Sequence, residues 1–389
     1  MIFPISQMNK IPKVVLLIES SRAFGRELQS GIARYARLHG PWSFYRQPRG
    51  LTSTIPQIKN GQADGIITRN TPLSADIIKL KIPVITVLHY SDRNPAIPAV
   101  LTDSENIAKL AAEHLLNRGF QNFGYCGFKN LFWSDERAMF FNTFIEQSGN
   151  KVSFFKQPRS DGDKSWAIEI TGISKWLKNL PKPVGVMACN DDKGQQVLEA
   201  CKLEGYKVPE EVAVIGVDND TLICELADPP LSSVALGVES AGYRAAELLA
   251  KLMMGQTDNI QDIVVRPSHV VKRQSTDIMA INDTHLVKAL AYIRTNSSRK
   301  INVEDVVDQT AISRRSLENR FQKYLGRSIQ QEIRRIRIDL ITKLLVETDM
   351  SISEITSTLD FADIDHISRY FRKGKGMGLR EFRKLQRQC

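Results

Sequence analysis

The chain has no run of eighteen apolar residues, the length a membrane-crossing helix requires. Its opening MIFPISQMNKIPK lacks the apolar stretch of a secretory signal. These absences predict a protein of the cytoplasm with no membrane partner. Cysteine is scarce: Cys126, Cys189, Cys201, Cys224 and Cys389 are odd in number and widely spaced, with no CxxC pair. That pattern predicts reduced, mostly buried thiols rather than a disulfide framework, a zinc site or a redox motif. The six histidines include no HExxH, no GxGxxG follows the first strand-like run, and neither GxxxxGKS nor GxxxxGKT occurs. The expectation is therefore no metal, no nucleotide and no cofactor. A charge bias is also missing from most of the chain, since the first 284 residues hold 32 Lys plus Arg against 30 Asp plus Glu.

The charge lies at the end instead. From His285 to Cys389 there are 21 Lys plus Arg against 13 Asp plus Glu, which accounts for +8 of the chain's +10. The same stretch contains one helical pattern twice. INVEDVVDQTAISRRSLENRFQKYLG begins at Ile301 and returns as SISEITSTLDFADIDHISRYFRKGKG, so that Leu317 aligns with Ile367, Phe321 with Phe371 and Gly326 with Gly376. Each copy reads as a helix, a tight turn and a second, basic helix, the layout of a helix-turn-helix whose second helix enters the major groove. In the first copy Val303, Val306 and Val307 face Ile312, Leu317 and Phe321. A helical bundle with solvated basic faces would explain one copy, but two in register favour double-stranded DNA as the partner. The expected base-facing residues are Arg315, Glu318 and Asn319, with Ser313, Arg314 and Lys323 nearer phosphates. In the second copy they are Asp365, Ser368 and Arg369, with Lys373 also on the DNA side.

Before the repeat, apolar runs alternate with amphipathic stretches. VVLLI (14–18), DGIIT (64–68), PVITVL (83–88), FGYCG (123–127), VGVMAC (184–189) and VAVIGV (212–217) are rich in Val and Ile and bounded by Gly, Pro or Asp. Runs apolar on both faces indicate parallel strands covered by helices, an α/β class. SENIAKLAAEHLLNRG (104–119) reads as one such helix, with Ser104 as N-cap and Gly119 as its stop.

Ligands of open parallel sheets sit outside the carboxyl ends of the strands. The polar residues there are Glu19, Ser20 and Ser21; Asp103; Asn190 and Asp191; and Asp218, Asn219 and Asp220. They are donors and acceptors without a nucleophile, the set a sugar needs once an aromatic ring covers its apolar face. Trp133 and Arg137, four apart, supply a ring and a fork donor from one helical turn. An Asp at a strand's end is as often a helix cap, and Trp133 taken alone is as readily a core residue. The carboxylates at 191 and 192, or 218 and 220, would also suit acid-base chemistry, although sequence neighbours need not face one substrate.

Both halves resemble known families. QQEIRRIRIDLITKLLVETD (330–349), the Arg337 to Leu345 pattern R-x6-LL, SISEI (351–355) and F-x-D at Phe361 to Asp363 are similar to the AraC/XylS transcription-regulator domain. VAVIGVDND, ACND and WSDER, in that order, resemble the periplasmic-binding-protein-like sensor of LacI-type regulators. LSSVALG (231–237), GYRAAELL (242–249) and RQSTD (273–277) extend the likeness over nearly the whole chain.

The resemblance implies a two-lobed sugar sensor over 12–272, a linker over 273–285 and an all-α DNA-binding domain over 286–389 with two helix-turn-helix units. It puts Asp103, Arg137, Asn190 and Asp218 at sugar-contacting positions, and matches Trp133 to a tryptophan of xylose-responsive regulators. It further implies a transcription activator without catalytic residues, whose partners are D-xylose as effector, double-stranded operator DNA, RNA polymerase and a second copy in a homodimer. Another pentose or a hexose as effector, a sugar-modifying enzyme and a purely architectural DNA binder are the alternatives. The lobes should exchange chain near residues 118, 237 and 262. Departures from the AraC pattern are Ala311 and Asp360 at turn positions usually held by Gly, Ile341 in the connecting helix, and Leu379 where Pro is common.

Overall fold

A computed structural model of the chain describes residues 11–47, 63–70, 77, 79–89, 93–158, 165–256, 258, 260–278 and 283–388. The first lobe is built on a parallel sheet of β1 (Lys13–Leu17), β2 (Ser43–Arg46), β3 (Gly65–Arg69), β4 (Val84–Val87), β5 (Ala99–Thr102) and β11 (Ile263–Val265), in the spatial order β11-β5-β4-β3-β1-β2. Val14 of β1 pairs with Gly65 on one side and Phe44 on the other. The apolar runs of β1 and β4 are buried almost throughout, as strands covered on both faces require. Helices α1 (Ala23–His39) and α7 (Val238–Met253) pack together on this lobe. They approach so closely at Gly31 that a Cβ there would lie 1.8 Å from the Glu239 carbonyl oxygen.

The second lobe contains β6 (Asn122–Lys129), β7 (Val152–Pro158), β8 (Val184–Ala188), β9 (Val212–Asp218), β10 (Ser232–Leu236) and β12 (Pro267–Val271), ordered β12-β10-β9-β8-β6-β7. All its pairings are parallel except β10 with β12. Around it lie α2 (Ser104–Leu116), α3 (Phe132–Gln147), α4 (Ser165–Lys178), α5 (Asp191–Glu204) and the short α6 (Thr221–Leu226).

Two sequence expectations need correction here. The N-cap of α2 is Asp103, which accepts the Asn106 N–H at 3.1 Å, and Ser104 is the first helical residue. The first exchange between lobes occurs at Asp103 rather than near 118. β5 ends in the first sheet, whereas the buried face of α2 packs on α3, β8, β10 and β12 of the second. The other exchanges fall at Gly237, as expected, and at Arg266.

The C-terminal region is all helical: α8 (Thr284–Thr295), α9 (Val303–Val307), α10 (Arg314–Leu325), α11 (Ile329–Glu347), α12 (Ile352–Thr358), α13 (Ile364–Lys375) and α14 (Leu379–Gln388). Capping boxes at Asn302 with Asp305, Ser328 with Gln331 and Ser351 with Glu354 start α9, α11 and α12. Two separate cores form. Leu317 and Phe321 pack with Val303, Val306, Ile329 and Ile333, while Ile367 and Phe371 pack with Ile341, Leu345, Ile355 and Leu379. The two halves of α11 thus serve different units. Asp360 adopts φ +52 and its carboxylate accepts the Lys300 N–H at 3.2 Å, whereas Ala311 avoids positive φ. Ile341 and Leu379 fill the second core. Among the described residues, no helix is long and apolar enough to cross a membrane.

The first residues of the expected linker are built into the second lobe. Ser275 donates to the Val214 carbonyl at 2.6 Å and accepts the Ser232 N–H at 2.8 Å, and Thr276 is fully buried. The helical region starts at Asp283, whose carboxylate caps α8.

Candidate functional site

The cleft between the lobes collects residues from strand ends that are far apart in sequence. On the second lobe, Arg137 is nearly buried. It donates to the Cys189 carbonyl at 2.5 Å, approaches Asp218 at 3.9 Å and holds its guanidinium 5.1 Å from the Trp133 ring centre. Burial pushes the Asp218 carboxyl up to about 6, with Arg137 pulling it down and Asp192 and Asp220 adding like charge. The Trp133 indole is flanked by Phe128 edge-on at 6.2 Å. Trp133 and Arg137 therefore stand together, and Asp218 faces them.

On the first lobe Ser21 donates to Glu19, whose other oxygen pairs with Arg69 at 2.9 Å. Ser20 contributes its carbonyl to Arg26 at 3.4 Å. The lobes are bridged by ionic contacts. Asp220 accepts the Ala23 N–H at 2.7 Å and pairs with Arg26 at 2.9 Å; Arg22 meets Asp192 at 2.6 Å. The N-cap residue of α1, Arg22, makes no side-chain cap, so Asp220 supplies that bond from the opposite lobe.

Three expected sugar contacts are engaged within the protein. Both oxygens of Asp103 accept from Asn106. The Asn190 carbonyl caps α5 through Lys193 N–H, and its amide donates to Asp192 at 2.9 Å. Asp191, 2% exposed, accepts Asp220 N–H and Ser233 Oγ at 2.7 and 2.6 Å. Burial pushes its carboxyl well up. Asp191 is thus a scaffold for the β9 loop rather than a side chain facing the cleft. Sequence reasoning missed Asn70, His89 and Glu27. The first two follow β3 and β4, and the strand-end rule applied to those strands would have named them. Glu27 lies on α1, and its pKa is raised to about 7, by burial first and then by the charges of Asp218, Glu239 and Asp220.

In the helical region Leu317 and Phe321, and Ile367 and Phe371, are fully buried, while Arg315, Asn319, Lys323, Asp365, Arg369 and Lys373 are exposed and Ser368 is half-buried. Three expected DNA contacts have partners within the protein. Glu318 accepts the Ile329 N–H at 3.2 Å, which fixes it to the start of α11 instead of aiming it outward as a base-facing residue. Ser313 is the N-cap of α10 through Ser316 N–H. Arg314 pairs with Glu304 of α9.

The sensor meets this region at the far end of α2. Arg327 donates to the Asn117 side chain and pairs with the buried Glu332 at 3.1 Å, which also binds Arg335 at 2.7 Å. Next to them Arg118 donates to the Thr276 carbonyl at 2.6 Å, and His114 shares a 2.7 Å bond with Thr276 Oγ1. Burial, with Arg118 and neighbouring cations, holds the His114 imidazole well below its usual pKa.

A two-lobed cleft sensor followed by paired helix-turn-helix units defines a sugar-responsive, DNA-binding transcription regulator, not an enzyme. Residues 112–276 match the periplasmic binding protein-like domain and residues 306–385 a helix-turn-helix domain. The chain is 31% identical over 382 residues to the xylose operon regulatory protein of Haemophilus influenzae, covering 95% of this chain and 98% of that protein. It is 27% identical over 384 residues to the xylose operon regulatory protein of Escherichia coli K12, covering 96% and 97%. The solved structure of the xylose-binding transcription activator xylR superposes with a TM-score of 0.61 at 26% identity, covering 97% of this chain and 99% of that one. The chain belongs to the family of xylose operon regulatory proteins.

Proposed function

We propose that D-xylose is the effector, bound in the cleft, and that the protein is a cytoplasmic activator that engages its operator as a homodimer and assists RNA polymerase. The carrying observation is the group formed by Trp133, Arg137 and Asp218: a ring for the apolar face of a pyranose, with a fork donor and a carboxylate for its hydroxyls. Arg137 lies over one face of the indole, so the sugar stacks on the opposite face. Ser20 and Ser21 line the first-lobe side. Asp103 and Asn190 hold the helix starts that border the cleft.

The sugar favours the closed pairing of lobes, and α2 carries the change. Its capped end borders the cleft and its last turn abuts Arg327, roughly 20 Å away at 1.5 Å per residue. On the DNA side, Arg315 and Asn319 of α10 and Arg369 of α13 read base edges, while Lys323 and Lys373 bind phosphate. Calorimetric titration with D-xylose, L-arabinose, D-ribose and D-glucose tests the effector. Saturable binding strongest for D-xylose supports it, and preference for another sugar overturns it. Sedimentation with and without sugar and operator tests the dimer.

A further inference from the structure

His89 follows β4 on the first lobe and is 5% exposed. Its N–H donates to the side-chain oxygen of Asn70, the residue that follows β3, so two strand ends fix its backbone. The indole Nε1 of Trp133, on the second lobe, donates to His89 Nδ1 at 3.2 Å, and the two rings lie 6.1 Å apart. An indole N–H can only donate, so Nδ1 must present its lone pair and the neutral ring must carry its proton on Nε2. Trp133 is also held from behind. Phe128, edge-on to it, carries the Lys193 ammonium 4.4 Å from its ring centre, and that buried ammonium is anchored by Glu169 at 3.0 Å and Gln196 at 2.7 Å. The second lobe thus offers an indole N–H in a fixed direction, and the acceptor that meets it belongs to the other lobe.

We propose that His89 is a positioning residue for effector binding: it orients the Trp133 ring from across the cleft through a bond that exists only when the lobes are closed. This rests on the reading that the sugar binds beside Trp133. Because the bond joins the lobes, it favours the closed pairing and lowers the sugar's dissociation constant without touching the sugar. A neutral hydrogen bond of this kind corresponds to about three- to tenfold in affinity.

The experiment is D-xylose titration of the full chain and of H89L, H89N, W133F and H89L/W133F, each first checked for unchanged thermal unfolding without sugar. The amide oxygen of H89N stands in for Nδ1 as an acceptor, whereas H89L keeps bulk without one. The expected result is weaker binding by H89L, recovery of most of the loss in H89N, and a double variant no weaker than W133F alone. Equal affinity of H89L and the parent chain overturns the proposal. So do an H89N as weak as H89L, or losses that multiply in the double variant. A parent chain that binds none of the four sugars defeats the effector reading itself, and this inference with it.

Discussion

At the scale of single residues, the cleft is governed by what its carboxylates face. Asp218, raised to about 6, is ionised at neutral pH and becomes protonated as the pH falls below 6. An ionised acceptor binds sugar hydroxyls more strongly, so affinity for D-xylose should fall between pH 7 and pH 5, read by calorimetry. Arg137→Ala and Asp218→Ala should each weaken sugar binding by roughly ten- to hundredfold with the fold retained, the loss of a charge-assisted bond of about 1.5–3 kcal/mol. Glu27 behaves oppositely to a paired acid. Its folded pKa of about 7 lies above its ordinary value, so the folded chain binds the proton more tightly and stability declines as pH rises toward 7. Glu27→Gln should therefore raise Tm by about 2 °C or more at pH 8 and leave it almost unchanged at pH 4.5, in calorimetric scans at both values.

A polar side chain after a buried strand is the clue in the sequence that points to these positions. What that clue cannot supply is the partner. Asp191 qualifies by position, yet its oxygens go to Ser233 and to the backbone of Asp220, a loop it helps to build. Its burial depends on residues more than twenty-five positions away, which no local pattern encodes.

At the scale of elements, β1, β3, β4, β8 and β9 were legible, because strands covered on both faces write continuous Val- and Ile-rich runs, and β6 through the apolar, aromatic run FGYCG. β2 was not, since all four of its residues are exposed at the sheet edge. The helical character of α2 was equally plain, but an amphipathic stripe does not say which sheet it covers, and so the lobe exchange was placed a helix too late. The twin helix-turn-helix units were the clearest elements of all, owing to their shared register. Their recognition helices now differ in surroundings: Glu318 is diverted to α11, whereas α13 keeps Asp363 and Asp365 near its start. The acids favour the helix dipole but repel phosphate. On one operator, Arg315→Ala should relax preference at a base pair by about 1–3 kcal/mol, and Lys323→Ala should weaken all sequences alike and lower the salt slope by about one ion. Arg369→Ala should cost less than Arg315→Ala; a larger loss would reverse the ranking of the two units.

At the scale of the whole molecule, the proposed coupling of the sensor to the DNA-binding region runs through the junction at the end of α2. Asn117 touches Arg327 there and lies a full helix away from the cleft. Asn117→Ala should therefore leave xylose affinity and sugar-free operator affinity near those of the parent chain, while shrinking the change in operator affinity that sugar produces. Gel shifts at a series of xylose concentrations measure this, and an undiminished sugar response would place the coupling elsewhere.

That junction also works in the other direction. If closing the cleft strengthens the grip on DNA by some factor through α2, thermodynamic linkage requires an operator-bound molecule to hold its sugar tighter by the same factor. The concentration of sugar that half-saturates the protein is then not a property of the protein alone. It shifts with the supply of operators, so a cell carrying the target site on many plasmid copies would respond to leaner sugar than one carrying it once.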